Sequence, residues 1–381
     1  MIISRRSLIG SSSALLLSPV ARAVAQPTHS RSGRVYEGST PLAFDLSDLP
    51  VYAPEQRVSG KIRCVGTPFR GAVEGWQRAF AVHQPGVSFE NNLPSSDVAM
   101  PGLIMGLCDI APSGREACLE EVLGFSETYF YNPTSIAVAS GAAYTPGGAS
   151  WSPVILVSAD NPLARLTLAQ LDGIFGEARS GGYGQNSVEW NVASARGPER
   201  NIRTWGQLGL SGAWAGKPIQ TYGYAPTGMR SFFELVVFGG GKKWNPNYRE
   251  YVDTGTKMVP EGVPIGSHDM LLQLAKDPYG IAWSGNGHAA KVPGLKAIPL
   301  ARTAAGPYAE PTAANMQSRR YPLTRSVFMH INRKPGTPLD PAVREYLRFV
   351  LSREAQEMLS KAGNQLPLNR ETVLQERRKL V

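Results

Sequence analysis

The chain has little cysteine. Cys64, Cys108 and Cys118 are the three cysteines among its 381 residues. No C-x-x-C pair occurs, and no group of cysteine and histidine has the spacing of a zinc site, so we predict no metal centre. In an oxidising compartment one pair could form a disulfide, and Cys108 with Cys118 is the pair closest in sequence. Three buried, reduced cysteines are an equally open interpretation.

Long apolar segments, dense basic segments and catalytic signatures are also missing. Beyond the N-terminal region no stretch reaches the roughly 18 apolar residues that a membrane-spanning helix needs. No run of lysine and arginine is interleaved with aromatic residues, so nucleic acid is not a predicted partner. No G-x-S-x-G or H-E-x-x-H motif occurs, and the five histidines are scattered. We therefore predict neither an enzyme nor a cofactor.

What the chain does have is the composition of a globular protein. Its 42% hydrophobic and 18% charged residues are typical of folded domains, and its length favours two domains over one core. The formal net charge is +9. Residues 1–25 contain three arginines and no acidic residue, so their removal lowers the charge from +9 to +6. A mild positive charge helps to attract anions.

The N-terminus has the features of an export signal. Arg5 and Arg6 precede an apolar run, and the small residues around Ala23 and Ala25 suit a cleavage site. The arginine pair predicts twin-arginine (Tat) export, and a Sec signal that happens to carry two arginines is the alternative. Either signal places the mature protein in the periplasm. Residues 26–57 are polar and rich in proline, and we interpret them as an N-terminal extension.

The sequence CVGTPFRGA at positions 64–72 predicts a strand that turns into a capped helix. Residues 61–65 suit the strand, Thr67 can cap the helix, and a proline follows at the first helical position. Such a turn, which contains Gly66, directs free backbone N–H groups and the positive end of a helix dipole at one place. The turn therefore suits an anion. An ordinary strand–turn–helix connection is the alternative.

Two later turns repeat this pattern with a hydroxyl and an arginine. Ser113 and Glu116 have the S-x-x-E spacing of a capping box, which places Arg115 in the first turn of a predicted helix. Thr227 can cap another helix, with Arg230 in its first turn. Each arginine could bind an anion, and for the turn with Arg115 a plain capped helix with a solvated arginine is the alternative.

The order of these motifs resembles the PstS-like phosphate-binding branch of the periplasmic solute-binding proteins of ABC importers. The resemblance covers roughly residues 60–370, and the segment at 161–175 carries the most specific motif. The matching segments are DIAPSGR at 109–115, NPLARLTLAQLDGIF at 161–175, TGMR at 227–230, DPYGIAW at 277–283, YPLTR at 321–325 and LSREAQ at 351–356.

This resemblance implies an α/β fold, the two-lobed clamshell of the type II periplasmic binding proteins. Each lobe would be a mixed sheet flanked by helices, and a hinge would join the two. The first lobe would comprise residues 58–150 and 311–381, and the second lobe residues 151–310. The resemblance also implies that the lobes clamp a small anion, that ABC permease subunits are the partners, and that the protein is a monomer. The implied ligand-binding residues are Gly66, Thr67, Ser113, Arg115, Thr227, Gly228 and Arg230.

Two positions depart from the family pattern. Gly114 stands where phosphate binders of this family typically have an acidic residue or a serine, and Gly223 where an arginine is common. The leading hypothesis is a binding protein that captures phosphate or a related oxyanion and delivers it to an ABC importer. The alternative, which these departures motivate, is the same clamshell with a larger organic or apolar ligand, for transport or for sensing.

Overall fold

The structure is a computed structural model that describes residues 43–141, 152–226, 228–252, 265–362 and 365–381. The predicted export signal with its cleavage sites, most of the predicted N-terminal extension and Thr227 lie outside these residues.

Strands and helices alternate along most of the described chain. The strands are β1 Ser59–Val65, β2 Gly86–Asn92, β3 Ala111–Ser113, β4 Thr134–Ser140, β5 Pro153–Ser158, β6 Leu166–Thr167, β7 Gly182–Tyr183, β8 Trp190–Asn191, β9 Gln220–Tyr224, β10 Arg249–Tyr251, β11 Gly280–Gly285, β12 Leu295–Ala297, β13 Leu300–Ala301 and β14 Ser326–Ile331. The helices are α1 Ala72–His83, α2 Ala99–Ile104, α3 Leu119–Tyr129, α4 Leu168–Phe175, α5 Gly228–Val237, α6 Ile265–Ala275, α7 Asn286–Ala289, α8 Ala313–Gln317, α9 Pro341–Val350, α10 Arg353–Ala362 and α11 Arg370–Arg378.

The strands form two main groups. Strand β1 pairs in parallel with β2, and β14 lies between β3 and β4 and is antiparallel to both. The larger sheet has the order β10-β9-β11-β5-β12 and mixes parallel and antiparallel pairs. Mixed sheets covered by helices make this an α/β protein, so the predicted fold class is confirmed.

Two large hydrophobic cores divide the described residues into two lobes. One core takes its buried side chains from residues 46–139 and 327–380, and we call the body around it the first lobe. The other core takes them from residues 154–323, with Leu366, and forms the second lobe. The chain therefore leaves the first lobe and returns to it, as the resemblance implies. The predicted boundaries at 150 and 310 stay predictions.

The junction between β1 and α1 differs from its prediction. The helix begins at Ala72, after a 3₁₀ turn over Phe69–Gly71, and Gly71 is its N-cap with a left-handed φ of 87°. The prediction that Thr67 caps this helix is wrong. The backbone N–H of Thr67 instead donates to the carbonyl of Pro112 at 2.9 Å, which ties this segment to β3.

The helix predicted to begin after Ser113 also begins later. Ser113 is the last residue of β3, and α3 starts at Leu119. The capping interaction comes from the N–H of Cys118, which donates to the Glu121 carboxylate at 2.8 Å. The capping box predicted for Ser113 and Glu116 is therefore wrong. Glu116 is instead buried and ion-paired across the molecule, so it is not available to the backbone.

Two other helices begin at residues whose side chains cap them. Before α4, Gln170 donates its N–H to the Thr167 hydroxyl at 3.2 Å and accepts the N–H of Thr167 at 2.9 Å. Before α9, the Asp340 carboxylate accepts two backbone N–H groups, at 2.9 and 3.0 Å. These bonds satisfy donors that a helix leaves unpaired at its N-terminus.

The three cysteines are free thiols, so the pair Cys108–Cys118 does not form a disulfide. Cys64 and Cys108 are buried, as in the alternative interpretation, whereas Cys118 is half-buried. Burial raises the pKa of Cys108 to about 11, which favours the neutral thiol. Within the described ranges no helix is long and apolar enough to cross a membrane. The same residues contain no group of three or more metal-ligating side chains placed to hold an ion.

Candidate ligand-binding cleft

A cleft of about 470 Å³ lies between the two lobes. The first lobe contributes the turn before α3 and the start of that helix, and the second lobe contributes the N-terminal half of α5. The lining residues are Asp97, Arg115, Cys118, Glu120, Pro226, Gly228, Arg230, Ser231, Glu234 and Lys242. Three of the predicted ligand-binding residues, Arg115, Gly228 and Arg230, therefore meet in one place.

Arg115 is fixed on the first-lobe side of the cleft. Its guanidinium makes two 2.8 Å hydrogen bonds to the two carboxylate oxygens of Glu121, and it donates to Asp97 at 3.3 Å. Burial by itself lowers the pKa of Arg115, but the hydrogen bonds to Glu121 outweigh it and the pKa is raised. Arg115 is thus a permanently charged group that is held in one orientation.

Arg230 is fixed on the second-lobe side of the cleft. Its Nε donates to Glu234 at 3.1 Å and Nη1 donates to Glu250. The face of the guanidinium lies over the ring of Trp244, with the central carbon 4.7 Å from the ring centroid, and over Tyr248 at 5.6 Å. Carboxylates and aromatic rings therefore fix this arginine together.

The N-terminus of α5 faces the cleft. Gly228 is its first residue, and a β-carbon at this position would lie 2.1 Å from Cδ of Arg115. The lack of a side chain therefore lets the helix end rest on the arginine of the opposite lobe. The start of a ten-residue helix carries partial positive charge and N–H groups that point along its axis, which suits an anion.

Three other predicted binding residues are not at the cleft lining. The N–H of Gly66 donates to Asn92 O at 3.0 Å, and the N–H of Thr67 is bonded within the first lobe as described above. The buried hydroxyl of Ser113 donates to the carbonyl of Arg115 at 2.8 Å. Their polar groups support the sheet and the turn before α3. The strand–turn–helix pattern alone could not reveal this, because the partners are distant in sequence.

A buried ion pair under the cleft was missed by sequence reasoning. Arg325 donates through Nε to Glu116 at 3.0 Å, and both side chains are 4% exposed. The same guanidinium reaches the second lobe, where it lies at the thioether of Met229 and 3.5 Å from the carbonyl of Gly228. Arg325 ends the YPLTR segment, so the family motif marked its position without indicating its partner.

A second contact between the lobes lies at the cleft lining. Lys242 of the second lobe donates to Glu120 of the first lobe at 2.6 Å. The side chains of Lys242 and Glu120 are 48% and 70% exposed, so this ion pair is solvated. The ion pair of Arg325 with Glu116, by contrast, is buried. The hydroxyl of Ser231 also lies 3.7 Å from the thiol of Cys118, across the same gap.

The two departures from the family pattern have different surroundings. A β-carbon at Gly223 would lie 2.1 Å from Oη of Tyr248 and 2.3 Å from Nε1 of Trp283. Aromatic side chains therefore fill the space that an arginine at this position would need. The N–H of Gly114 donates to the Ser96 hydroxyl at 2.9 Å, so the main chain of Gly114 contributes to the turn that carries Arg115.

The cleft lining is balanced in charge. It contains the cations Arg115, Arg230 and Lys242 and the acids Asp97, Glu120 and Glu234. Each of these cations is in an ion pair with a carboxylate. An incoming anion would therefore be recognised by oriented hydrogen-bond donors and a helix terminus, and not by a surplus of positive charge.

Two lobes with separate cores and a polar cleft between them are the architecture that the resemblance to the two-lobed solute-binding proteins implies. No protein-family model matches the chain. The chain is 28% identical, over 317 residues, to the phosphate-binding protein PstS of Pseudomonas aeruginosa, a match that covers 83% of this chain and 85% of that protein. The predicted resemblance to PstS-like proteins is thereby confirmed. The PstS structure from Borrelia burgdorferi, at 15% identity and a TM-score of 0.48, aligns with 82% of this chain and all of that chain.

Proposed function

We propose that this protein is a periplasmic solute-binding protein that captures phosphate or a related oxyanion between its lobes and delivers it to an ABC importer. The observation that carries the proposal is the convergence of Arg115, Arg230 and the N-terminus of α5 on one cleft, in a chain that is similar to a phosphate-binding protein. The protein binds its ligand and does not transform it.

The chemistry of the cleft supports an oxyanion. The guanidinium groups of Arg115 and Arg230 are charged donors in fixed orientations, and Ser231 adds a hydroxyl. The first turn of α5 adds backbone N–H groups. Such donors satisfy the oxygens of an anion without the reorganisation that flexible side chains would require. Thr227, next to this turn in sequence, stays a predicted ligand-binding residue.

Calorimetry on the purified mature protein tests this proposal directly. Native mass spectrometry first identifies any ligand that co-purifies, and phosphate, sulfate and organic phosphates are then titrated into the emptied protein. We expect phosphate to bind in a 1:1 complex and the affinity to fall when Arg230 is changed to glutamine. A protein that gives no heat with any oxyanion would contradict the proposal.

A larger organic anion is the second candidate, and the size of the cleft favours it. A space of about 470 Å³ exceeds what one tetrahedral oxyanion fills, since a water molecule occupies about 30 Å³ of the liquid. Aromatic residues also stand beside Gly223 where the family often has an arginine. The same titration separates the candidates, because an organic phosphate that binds more tightly than phosphate supports this second one.

Export to the periplasm is part of the proposal. The arginine pair and the apolar run at the N-terminus support a Tat signal that is cleaved near Ala23 or Ala25. Expression of the full chain with cell fractionation tests it. We expect a shortened protein in the periplasmic fraction, and replacement of Arg5 and Arg6 by lysine distinguishes the routes because only Tat export should stop.

A further inference from the structure

Arg230 is held by a carboxylate and an aromatic ring that also bind each other. Glu234 accepts a hydrogen bond from its Nε at 3.1 Å and a second one, at 2.6 Å, from the indole Nε1 of Trp244. The ring of Trp244 also lies against the face of the guanidinium, as described above. The face of the Trp244 indole therefore contacts Arg230. The N–H at the edge of the same indole binds Glu234, the carboxylate that also binds Arg230.

We propose that Trp244 is a positioning residue for ligand binding, which holds the guanidinium of Arg230 in the orientation that faces the cleft. The inference rests on the proposed function, in which Arg230 binds the anion. Trp244 itself is not among the residues that line the cleft, so it acts through Arg230 and Glu234. Nothing in its local sequence, GGGKKWNPN, indicates such a role.

The physical reason lies in the flexibility of arginine. A free arginine side chain samples many rotamers, and ordering it when a ligand arrives costs free energy. A guanidinium that already lies against an aromatic ring, with its edges bonded to carboxylates, has lost that freedom before binding. The ligand then gains the full benefit of oriented charged donors. Removal of the ring should therefore weaken binding even though the charge of Arg230 remains.

The geometry around Gly223 supports this assignment. The hydroxyl of Tyr248 donates to the carbonyl of Tyr224 at 3.0 Å and accepts a hydrogen bond from the indole of Trp283 at 3.2 Å. These bonds fix Tyr248 as the second ring beside Arg230, and the two rings, Trp244 and Tyr248, are 4.3 Å apart. The aromatic group that fills the space beside Gly223 is thus the same group that supports Arg230.

Trp244 also packs into the core of the second lobe, so the test must separate packing from positioning. Its ring is stacked on Phe233 with centroids 5.4 Å apart. Trp244→Met keeps an apolar side chain that adapts to irregular space but removes the aromatic face and the N–H. Trp244→Phe keeps a smaller aromatic face and loses the N–H. Trp205→Met is the matched control, because Trp205 is buried in the same core and bonds to the Tyr279 carbonyl, away from the cleft lining.

Two measurements are made on the full mature protein. Calorimetry gives the dissociation constant for phosphate, and we expect about a tenfold increase for Trp244→Met, a smaller increase for Trp244→Phe and little change for Trp205→Met. Mass spectrometry of phenylglyoxal-treated, ligand-free protein gives the rate at which the Arg230 peptide is modified. We expect that rate to rise several-fold in Trp244→Met and to stay near that of the wild type in the other two variants.

The dissociation constant for phosphate and the modification rate of Arg230 test two different claims. If the unaltered protein does not bind phosphate, the proposed function fails, and the modification rate of Arg230 still decides whether Trp244 positions it. The inference is overturned if Arg230 reacts at the same rate in Trp244→Met and the wild type, or if Trp205→Met has an equal effect. If Trp244→Met does not fold, Tyr248→Leu removes the second ring and gives the same comparison.

Discussion

The two arginines of the cleft come from similar sequence patterns but have different supports. In the first lobe, Arg115 lies in the turn before α3 and is held by Glu121, by Asp97 and by nearby main chain. In the second lobe, Arg230 lies in the first turn of α5 and is held by carboxylates and aromatic rings. The difference shows that a strand–turn–helix pattern brings an arginine to a cleft, while its surroundings decide how many donors it offers there.

The two sides of the cleft should therefore contribute differently to binding. Two parallel hydrogen bonds to Glu121 already occupy one edge of the Arg115 guanidinium, so this residue mainly organises its own lobe. Arg230 stands next to the helix terminus that faces the cleft, so it is the better placed of the two to meet a ligand.

The largest effect on stability should come from the buried ion pair of Arg325 with Glu116, which involves neither of the two cleft arginines. Arg325→Met leaves the carboxylate of Glu116 buried without its partner, and we expect it to lower the free energy of unfolding by about 4 kcal/mol. Urea denaturation measures the loss. The double variant with Glu116→Gln should regain most of it, and a double variant as unstable as Arg325→Met would contradict this account.

The second prediction compares a buried histidine in each lobe. Burial lowers the pKa of His330 in the first lobe to about 3 and that of His288 in the second lobe to about 4. Below about pH 6.5 these two histidines bind protons in the unfolded chain but stay neutral in the folded protein. Their contribution to the free energy of unfolding is therefore complete above that pH and is lost as the pH falls towards 4. For His330 alone the loss is on the order of 3 kcal/mol.

Urea denaturation at pH 7, 5 and 4 measures this dependence. The variant His330→Gln removes the titrating group of the first lobe, and it should make the curve of stability against pH less steep. A curve of unchanged slope would show that other groups, and not His330, cause the acid sensitivity.

The third prediction separates the two cleft arginines directly. Arg230→Gln should weaken phosphate binding by about 30-fold, in line with the loss of a charge-assisted hydrogen bond of roughly 2 kcal/mol, and should change stability less. Arg115→Gln should weaken binding less and lower stability more, because Glu121 loses two hydrogen bonds from its partner. In Arg230→Gln, Glu234 loses one and keeps the bond from Trp244. Calorimetry and thermal unfolding of both variants provide the comparison, and the reverse ranking would refute the assignment of roles.

The smallest effect should come from the solvated pair between the lobes. Lys242→Met removes the ion pair with Glu120, and exposed pairs contribute about 0.5 kcal/mol. We expect little change in stability at physiological salt. Lys243→Met, at the exposed neighbouring position, is the control. A loss of several kcal/mol for Lys242→Met would mean that the two lobes depend on this contact far more than its exposure implies.

Local sequence patterns account for several elements but not for all of their limits. The strands β1, β9, β11 and β14 and the caps of α4 and α9 follow from local patterns of apolar residues and hydrogen-bonding side chains. Helix α11 was not predicted, because its charged sequence RETVLQERR offers few apolar positions. Its Glu376 is nevertheless buried and accepts the N–H of Ala137 at 2.9 Å, a contact over 239 residues.

By itself, the sequence determined the α/β class, and its motif order, through the resemblance to the PstS-like proteins, implied the two-lobed order and three of the residues that meet at the cleft. Only the tertiary structure decided that Gly66, Thr67 and Ser113 bond within the first lobe, that Glu116 pairs with Arg325, and that Trp244 lies against Arg230. The physical reason is that a hydrogen bond or ring contact is satisfied by whichever group lies nearby in space. Long-range pairing in a folded chain therefore overrides the local pattern that first suggested a role.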